Sequence, residues 1–332
     1  MAEDPAHPRT VFELIGHERE EGEFDLARTR GRLHHAWLLC GTEGVGKATF
    51  AYRAARRLLG ARPSQAHGLL GSDPSDPVCR QIIARSHPDL LVLEREGPDG
   101  KPRKVIPVDE ARTLGEFFSK SPAVADFRVA IIDAADDLNV NAANAVLKTL
   151  EEPPARGVLF LVSHVPGRLL PTIRSRCRKL QFQSLEPEVV ASFLRARIDV
   201  NPEEALRLAT MAHGAPGRAL GLASTRAIEI DDTARDLLAT LPFYDESQAL
   251  ALADRMKGPD GQAHFNLLIE RLTERIHAQT VDRAAVSAGS LDRWAAAWEM
   301  LQRLPREVEA VNLDRADALF TALQELRAAA RD

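Results

Sequence analysis

The stretch GTEGVGKA at 41–48 constrains this chain more than any other. Its glycines let backbone N–H groups curl into a concave surface, and Lys47 adds a positive point charge. Apolar HAWLLCG at 35–41 runs into the loop as a buried strand. KATFAYRAARRLLG at 47–60 leaves it as a helix that Gly60 stops. A strand, a glycine loop and a helix N-terminus, in that order, form a cradle for phosphate. The residue after the lysine ordinarily supplies a hydroxyl to magnesium, but here it is Ala48. Thr49 lies about 100° further round the helix and is expected to point elsewhere.

The rest of the first half repeats this alternation. DLLVLER at 89–95, RVAIIDA at 128–134, VLFLVSH at 158–164 and RKLQFQ at 178–183 read as strands. PVDEARTLGEFFSK at 107–120 and NAANAVLKTLEE at 141–152 read as helices, the second ended by two prolines. Apolar runs separated by helices imply a parallel sheet covered on both faces. Residues 61–86 interrupt the order and read as an insertion with a loop and one short helix. After residue 187 the strand signal stops and helical patterns take over. Leu291, Trp294, Trp298 and Leu301 recur there at helical spacing, as a packing stripe does.

A chain of 332 residues is too long for one ordinary core and suits two or three domains. A net charge of -5 exerts no global pull on nucleic acid, and ARTRGR at 27–32 and KPRK at 101–104 read as solvated loops. Three scattered cysteines, an odd number, make no disulfide framework. The N-terminus has no apolar targeting core, and no run approaches 18 apolar residues, so the expected location is cytoplasmic.

Two further positions bear on chemistry. A buried strand ending in Asp133 is the pattern of the acid that holds magnesium in phosphate-loop folds. The next residue, where an active ATPase often has Glu to polarise water, is Ala134. Asp136 and Asp137 read as a solvated turn or cap. Two alanines at two working positions describe a cleft that binds nucleotide without turning it over. Arg176, in SRC at 175–177, reads either as a salt-bridge residue or as an arginine that reaches a neighbour's γ-phosphate.

Four runs together resemble the delta-prime family of bacterial DNA polymerase III clamp-loader subunits. They are HHAWLLCGTEGVGKATFA, HPDLLVL, RVAIIDAADDLNVNAANAVLKTLEEPP and LFLVSHVPGRLLPTIRSRC, in order within 8–185. HGAPGRAL at 213–220 and VNLDRADAL at 311–319 extend the likeness more weakly. Within the third run, Asn141, Asn144, Ala145, Leu147, Lys148, Glu151, Glu152, Pro153 and Pro154 carry the most specific match.

The resemblance implies a fold and a set of roles. The fold would be an α/β P-loop AAA+ module with a RecA-like parallel sheet at 1–184. An all-α lid would follow at 185–230, then an all-α collar at 231–332 that packs its apolar stripe, around Trp294 and Trp298, against other subunits. Gly41, Thr42, Glu43, Gly44, Val45, Gly46, Lys47, Ala48 and Thr49 would form the phosphate loop. Asp133 would be the Walker B acid, Ser163 would hold the sensor 1 position and Arg218 the sensor 2 position. Arg176 would be an arginine finger acting in trans. The cofactor would be ATP or ADP, weakly held or not hydrolysed. Relatives usually carry a four-cysteine zinc module after the phosphate loop. Here only Cys79 remains in that window, beside His67 and His87, so no zinc is expected. The partners would be gamma/tau and delta subunits, the sliding clamp and primed DNA, within a DNA-directed DNA polymerase. An active gamma/tau-like motor and a stand-alone DNA-repair ATPase are the alternatives. Ala48 and Ala134 weigh against the motor, and the repair ATPase would have a more basic composition and an intact Ser/Thr–magnesium pair.

Overall fold

The structure is a computed structural model and describes residues 7–95, 103–243, 245–258, 260–284 and 291–331. Two compact units divide the chain, Met1–Leu220 and Gly221–Asp332. The boundaries expected from sequence stand elsewhere, at 184/185 and 230/231.

In the first unit, α1 (Glu18–Thr29) precedes β1 (Ala36–Cys40), and α2 (Lys47–Leu58) follows it. The insertion contributes α3 (Pro77–Ile83). Next come β2 (Leu90–Glu94), α4 (Val108–Ser119), β3 (Arg128–Asp133), α5 (Val140–Glu151), β4 (Gly157–Ser163), the short α6 (Pro171–Arg174) and β5 (Arg178–Gln181). The five strands are parallel, in the order β2-β3-β4-β1-β5. β1 lies beside β4 near the centre of the sheet, and residues 41–47 leave its carboxyl end for α2.

Side-chain alternation sorts the sheet into two layers. Trp37, Leu39, Val129, Ile131, Val158, Phe160 and Val162 pack with Phe24 of α1 and Phe50 of α2. Leu38, Cys40, Ala130, Ile132, Leu159 and Leu161 face Leu114 and Phe118 of α4 and Val146 and Leu150 of α5. Phe24 meets Trp37 and Phe50 edge-on, at centroid distances of 5.2 and 5.7 Å, a favoured aromatic geometry. Every residue of β1 and β4 is buried, which explains their continuous apolar runs.

Two local devices set the loops. Asn139 caps α5, its side chain accepting from Ala142 N at 2.9 Å. Asp89, fully buried, accepts from the backbone N–H groups of Ala123, Val124 and Ala125 at 2.7, 2.8 and 3.0 Å. HPDL at 87–90 is thus a clamp on the turn that leads into β3.

The insertion is held by polar contacts. Arg62 pairs with Asp76 and Asp73 at 3.0 and 3.1 Å, Pro63 bridges Ser72, and Arg53 donates to His67 O at 2.6 Å. Cys79 is buried, and burial pushes its thiol up to about 11. It is a thiol packed in the interior. Of the two short basic stretches, Arg28 pairs with Asp25 and Arg103 with Glu110. Lys101 and Pro102 lie outside the described residues.

Helices α7 (Pro187–Arg195) and α8 (Pro202–Met211) complete the first unit, with α9 (Pro216–Ser224) spanning the division. The second unit holds α10 (Ala227–Thr240), α11 (Glu246–Arg255), α12 (Gly261–Ala284), α13 (Leu291–Val311) and α14 (Arg315–Ala329). Helix α13 runs through Pro305 and ends at Val311. Trp294 is only 7% exposed and packs with Leu301, Leu304, Leu319 and Leu323 inside this unit's own core. Trp294 and Leu301 of the expected stripe are thus covered by α12 and α14 within this unit rather than by another subunit. Trp298 is half-buried and stacks on His277 at 5.7 Å. Among the described residues, no helix is long and apolar enough to cross a membrane.

Candidate functional site

A cavity of about 240 Å³ opens over the N-terminus of α2. The loop residues 43–49 form its floor, Asp133, Val162 and His164 one wall, and Pro216, Gly217 and Leu220 another. Residues 8–15 close it as an N-terminal segment laid across α2. Two buried arginines of α2 tie that segment down. Arg53 bonds Glu21 at 2.7 Å and the carbonyl of Phe12, while Arg56 donates to Val11 O at 2.9 Å and to Arg9 O and lies 4.1 Å over the Phe12 ring.

The loop geometry depends on glycine at two places. Gly46 caps α2 at φ +116°, where an L side chain is strained. Gly44, at φ +76°, accepts from Gly217 N at 2.8 Å, and a β-carbon on it would stand 2.5 Å from Arg218 N. The backbone at 217–218 therefore packs directly on the loop. His17 adds a third tie, its Nε2 donating to Val45 O at 2.9 Å while its ring packs on Phe182.

Lys47 is 2% exposed, and its Nζ donates to Gly41 O and Thr42 O at 2.7 and 2.6 Å. Burial lowers its pKa to about 8, against the opposing pull of Asp133 and Glu43. Burial, with Glu94 next to it, raises Asp133 to about 6, and Lys47 restrains that rise. Phosphate needs the charged amine. Affinity for a phosphate-bearing ligand is thus expected to be full below pH 8 and to fall by up to about tenfold per pH unit above it. Titration with a fluorescent nucleotide between pH 7 and 9.5 checks this, and a flat profile would remove Lys47 from the binding role.

Of the predicted cofactor residues, Glu43 through Thr49 and Asp133 line the cavity, while Gly41 and Thr42 supply carbonyls to Lys47. Thr49 does face the cavity, contrary to the helical-offset argument, because residues 8–15 extend that wall around α2. Ser163 and Arg218 are not among the lining residues. Ser163 is buried and donates to Asp136 Oδ1 at 2.9 Å. The side chain that reaches the cavity from this strand end is His164, one residue on. Asp136 is likewise no solvated turn: it also accepts from the backbone N–H groups of His164 and Val165 and so fixes the end of β4.

Glu13, Glu43 and Asp133 are the carboxylates that line the cavity, and Ala48 stands where a hydroxyl ligand to magnesium would. That donor set lacks the hydroxyl that ordinarily completes it. Arg176 lies outside the cavity, its side chain 38% exposed. It donates to Thr172 O at 3.1 Å and pairs with Glu151 at 3.2 Å.

Residues 17–186, about half of the chain, match the family model described as DNA polymerase III, delta subunit. The chain belongs to this family. The curated relatives include DNA polymerase III subunit delta' of Pseudomonas aeruginosa, 40% identical over 190 residues, 56% of this chain and 55% of that protein. Subunit delta' of Escherichia coli is 33% identical over 231 residues, 69% and 66% of the two chains. Subunit gamma of Buchnera aphidicola is 32% identical over 273 residues, 79% and 71%. The chain thus spans about half the length of the first of these, 66% of the second and 71% of the third. It is a relative of the delta', gamma and tau subunits of DNA polymerase III. Among solved structures, a DNA polymerase III gamma subunit-related protein from Thermotoga maritima aligns over 92% of this chain and 99% of its own, at 20% identity and a TM-score of 0.48.

Proposed function

We propose that this chain is a delta-prime-type clamp-loader subunit that holds ATP or ADP without turning it over and lends Arg176 to a neighbouring ATPase. The observation that carries the reading is the contrast between two places in one unit. The cleft keeps the parts that hold phosphate, Lys47 and the loop amides, but has alanine at 48 and 134. Arg176 stands outside that cleft with its guanidinium partly in solvent, where another subunit's phosphate can meet it.

The partners follow from the same reading: gamma/tau and delta subunits, then the sliding clamp and primed DNA through the complex, in the cytoplasm. Residues 185–230 act as the lid, with the 217–218 backbone seated on Gly44, and 231–332 as the collar. Ser163 and Arg218 serve the cleft through its backbone frame, since neither side chain lines it.

Purified alone, the chain is expected to bind ATP yet release phosphate no faster than the Lys47→Ala variant. It is also expected to co-purify with gamma/tau and delta subunits. Robust turnover by the isolated chain would overturn this reading in favour of a gamma/tau-like motor, which the intact phosphate loop also resembles.

A further inference from the structure

The phosphate-loop cleft lies at the carboxyl end of the sheet. A second cavity, of about 320 Å³, opens at the other end, where β3 and β4 begin. Arg128 N donates to Arg156 O there at 2.8 Å and joins the two strand starts. Lys120, Arg128 and Arg156 line this cavity together with Ser119 and Ser121. Among the described residues, no acidic side chain lines it. Three cations thus converge from the end of α4 and from the starts of two strands, a pattern that attracts a multiply charged anion.

Arg128 distinguishes this cavity from an ordinary basic surface. Its side chain is only 10% exposed. Nε donates to Ser121 O at 3.0 Å, Nη1 donates to Phe117 O at 2.7 Å, and the guanidinium lies 4.6 Å over the Phe117 ring. Asp89 stands 3.6 Å from Nε, but the backbone N–H groups of Ala123, Val124 and Ala125 already occupy its oxygens. Nη2 is left with no hydrogen-bond acceptor among the described residues. Two guanidinium nitrogens are therefore locked, and the third is held ready to grip an oxyanion at little entropic cost. Lys120 pairs with Glu116 at 2.9 Å, with both side chains more than half exposed. Such a contact contributes little, and a dianion displaces it. Arg156 is exposed and has no side-chain partner among the described residues.

Phosphoryl groups suit these donors better than a carboxylate. Arginine forks match phosphate oxygens, and a lone carboxylate would leave two of the three cations uncompensated. The cavity is larger than the phosphate-loop cleft, at about 320 against 240 Å³, and has room for two phosphoryl groups.

We propose that this cavity binds a small free polyphosphate of pyrophosphate size, with Arg128 Nη2 and Arg156 on one phosphoryl group and Lys120 on the other. The site is separate from the phosphate-loop cleft and does not depend on nucleotide binding there.

The test is magnesium-free calorimetry of inorganic pyrophosphate with the full chain carrying Lys47→Ala, which removes the cleft's own phosphate-binding charge. Salt at about 0.15 M screens attraction from distant charges. One-to-one binding is expected. Adding Lys120→Gln and Arg156→Gln should weaken it about tenfold or more, whereas Lys120→Arg with Arg156→Lys should keep most of it. All four changes are at exposed positions, so the variants should fold as the parent does. Arg19→Gln with Arg195→Gln removes two exposed arginines that do not line the cavity and should leave the affinity within about twofold. ADP presents the same phosphate chemistry on a larger body and should bind the Lys47→Ala chain more weakly than pyrophosphate. The site would be overturned by absent pyrophosphate binding to the Lys47→Ala chain, by no loss on changing Lys120 and Arg156, or by an equal loss on changing Arg19 and Arg195. ADP bound as tightly as pyrophosphate would overturn a free polyphosphate as its ligand. None of these outcomes bears on whether nucleotide occupies the phosphate-loop cleft.

Discussion

Replacing Arg176 with Ala is expected to slow the DNA-stimulated ATP turnover of a complex reconstituted with gamma/tau and delta subunits by about tenfold or more, the order seen when a trans arginine is lost. The structural setting makes the experiment interpretable. Arg176 is partly exposed, and its partners are the Thr172 carbonyl and the half-exposed Glu151. A surface pair of that kind contributes at most about 1 kcal/mol, so the variant should fold normally and still join the complex. It should also bind nucleotide in its own cleft as the parent does, because Arg176 does not line that cavity. Arg176→Lys keeps the charge but loses the planar fork that grips two phosphate oxygens, and should recover only part of the rate. A reconstituted complex that turns over ATP at the parental rate would reduce Arg176 to a partner of Glu151.

The element order was legible in the sequence because each strand lies between turn signals and β1 to β4 carry apolar runs, whereas β5, RKLQ at the sheet edge, buries only Leu180. The observed strands begin and end within two residues of the expected spans. The loop was legible for the same reason. What the sequence obscured was direction. Along β4, Val158, Phe160 and Val162 face the α1–α2 layer, while Leu159 and Leu161 face the other. Continuing that parity puts Ser163 away from the cleft and His164 towards it. The signal was present, but using it required knowing which layer α2 occupies. Thr49 failed for a different reason: the helical offset is correct, yet a wall built by residues 8–15 wraps far enough round to meet it. Asp136, His17, Arg53 and Arg56 act across long sequence separations and have no local pattern. Trp294 and Leu301 read correctly as packing residues, but nothing local to them showed that α12 and α14 cover them.

Asp89 is the residue whose loss should cost the fold most. It is a charge removed from water and held by three backbone N–H groups, with Arg128 at 3.6 Å. Burial alone would raise its pKa, but the bonds from Ala123, Val124 and Ala125 outweigh that and hold it below 3.8. Asp89→Ala strands three donors together in the turn before β3, a loss of about 3 kcal/mol or more. Asp89→Asn keeps the shape but turns an amide towards donors, and should fall between. The sign of the pH effect follows from the depressed pKa. The stabilisation is present above about pH 4, the unfolded value, and fades as pH falls through the lower folded value. Urea denaturation should therefore show a large gap between parent and Asp89→Ala at pH 7 and a narrower one near pH 3. A gap under about 1 kcal/mol at pH 7 would mean that other contacts, such as those from Arg128 to Ser121 O and Phe117 O, hold the turn unaided. Because β3 ends at Asp133, a loosened turn should also weaken nucleotide binding, although Asp89 lies outside the cleft.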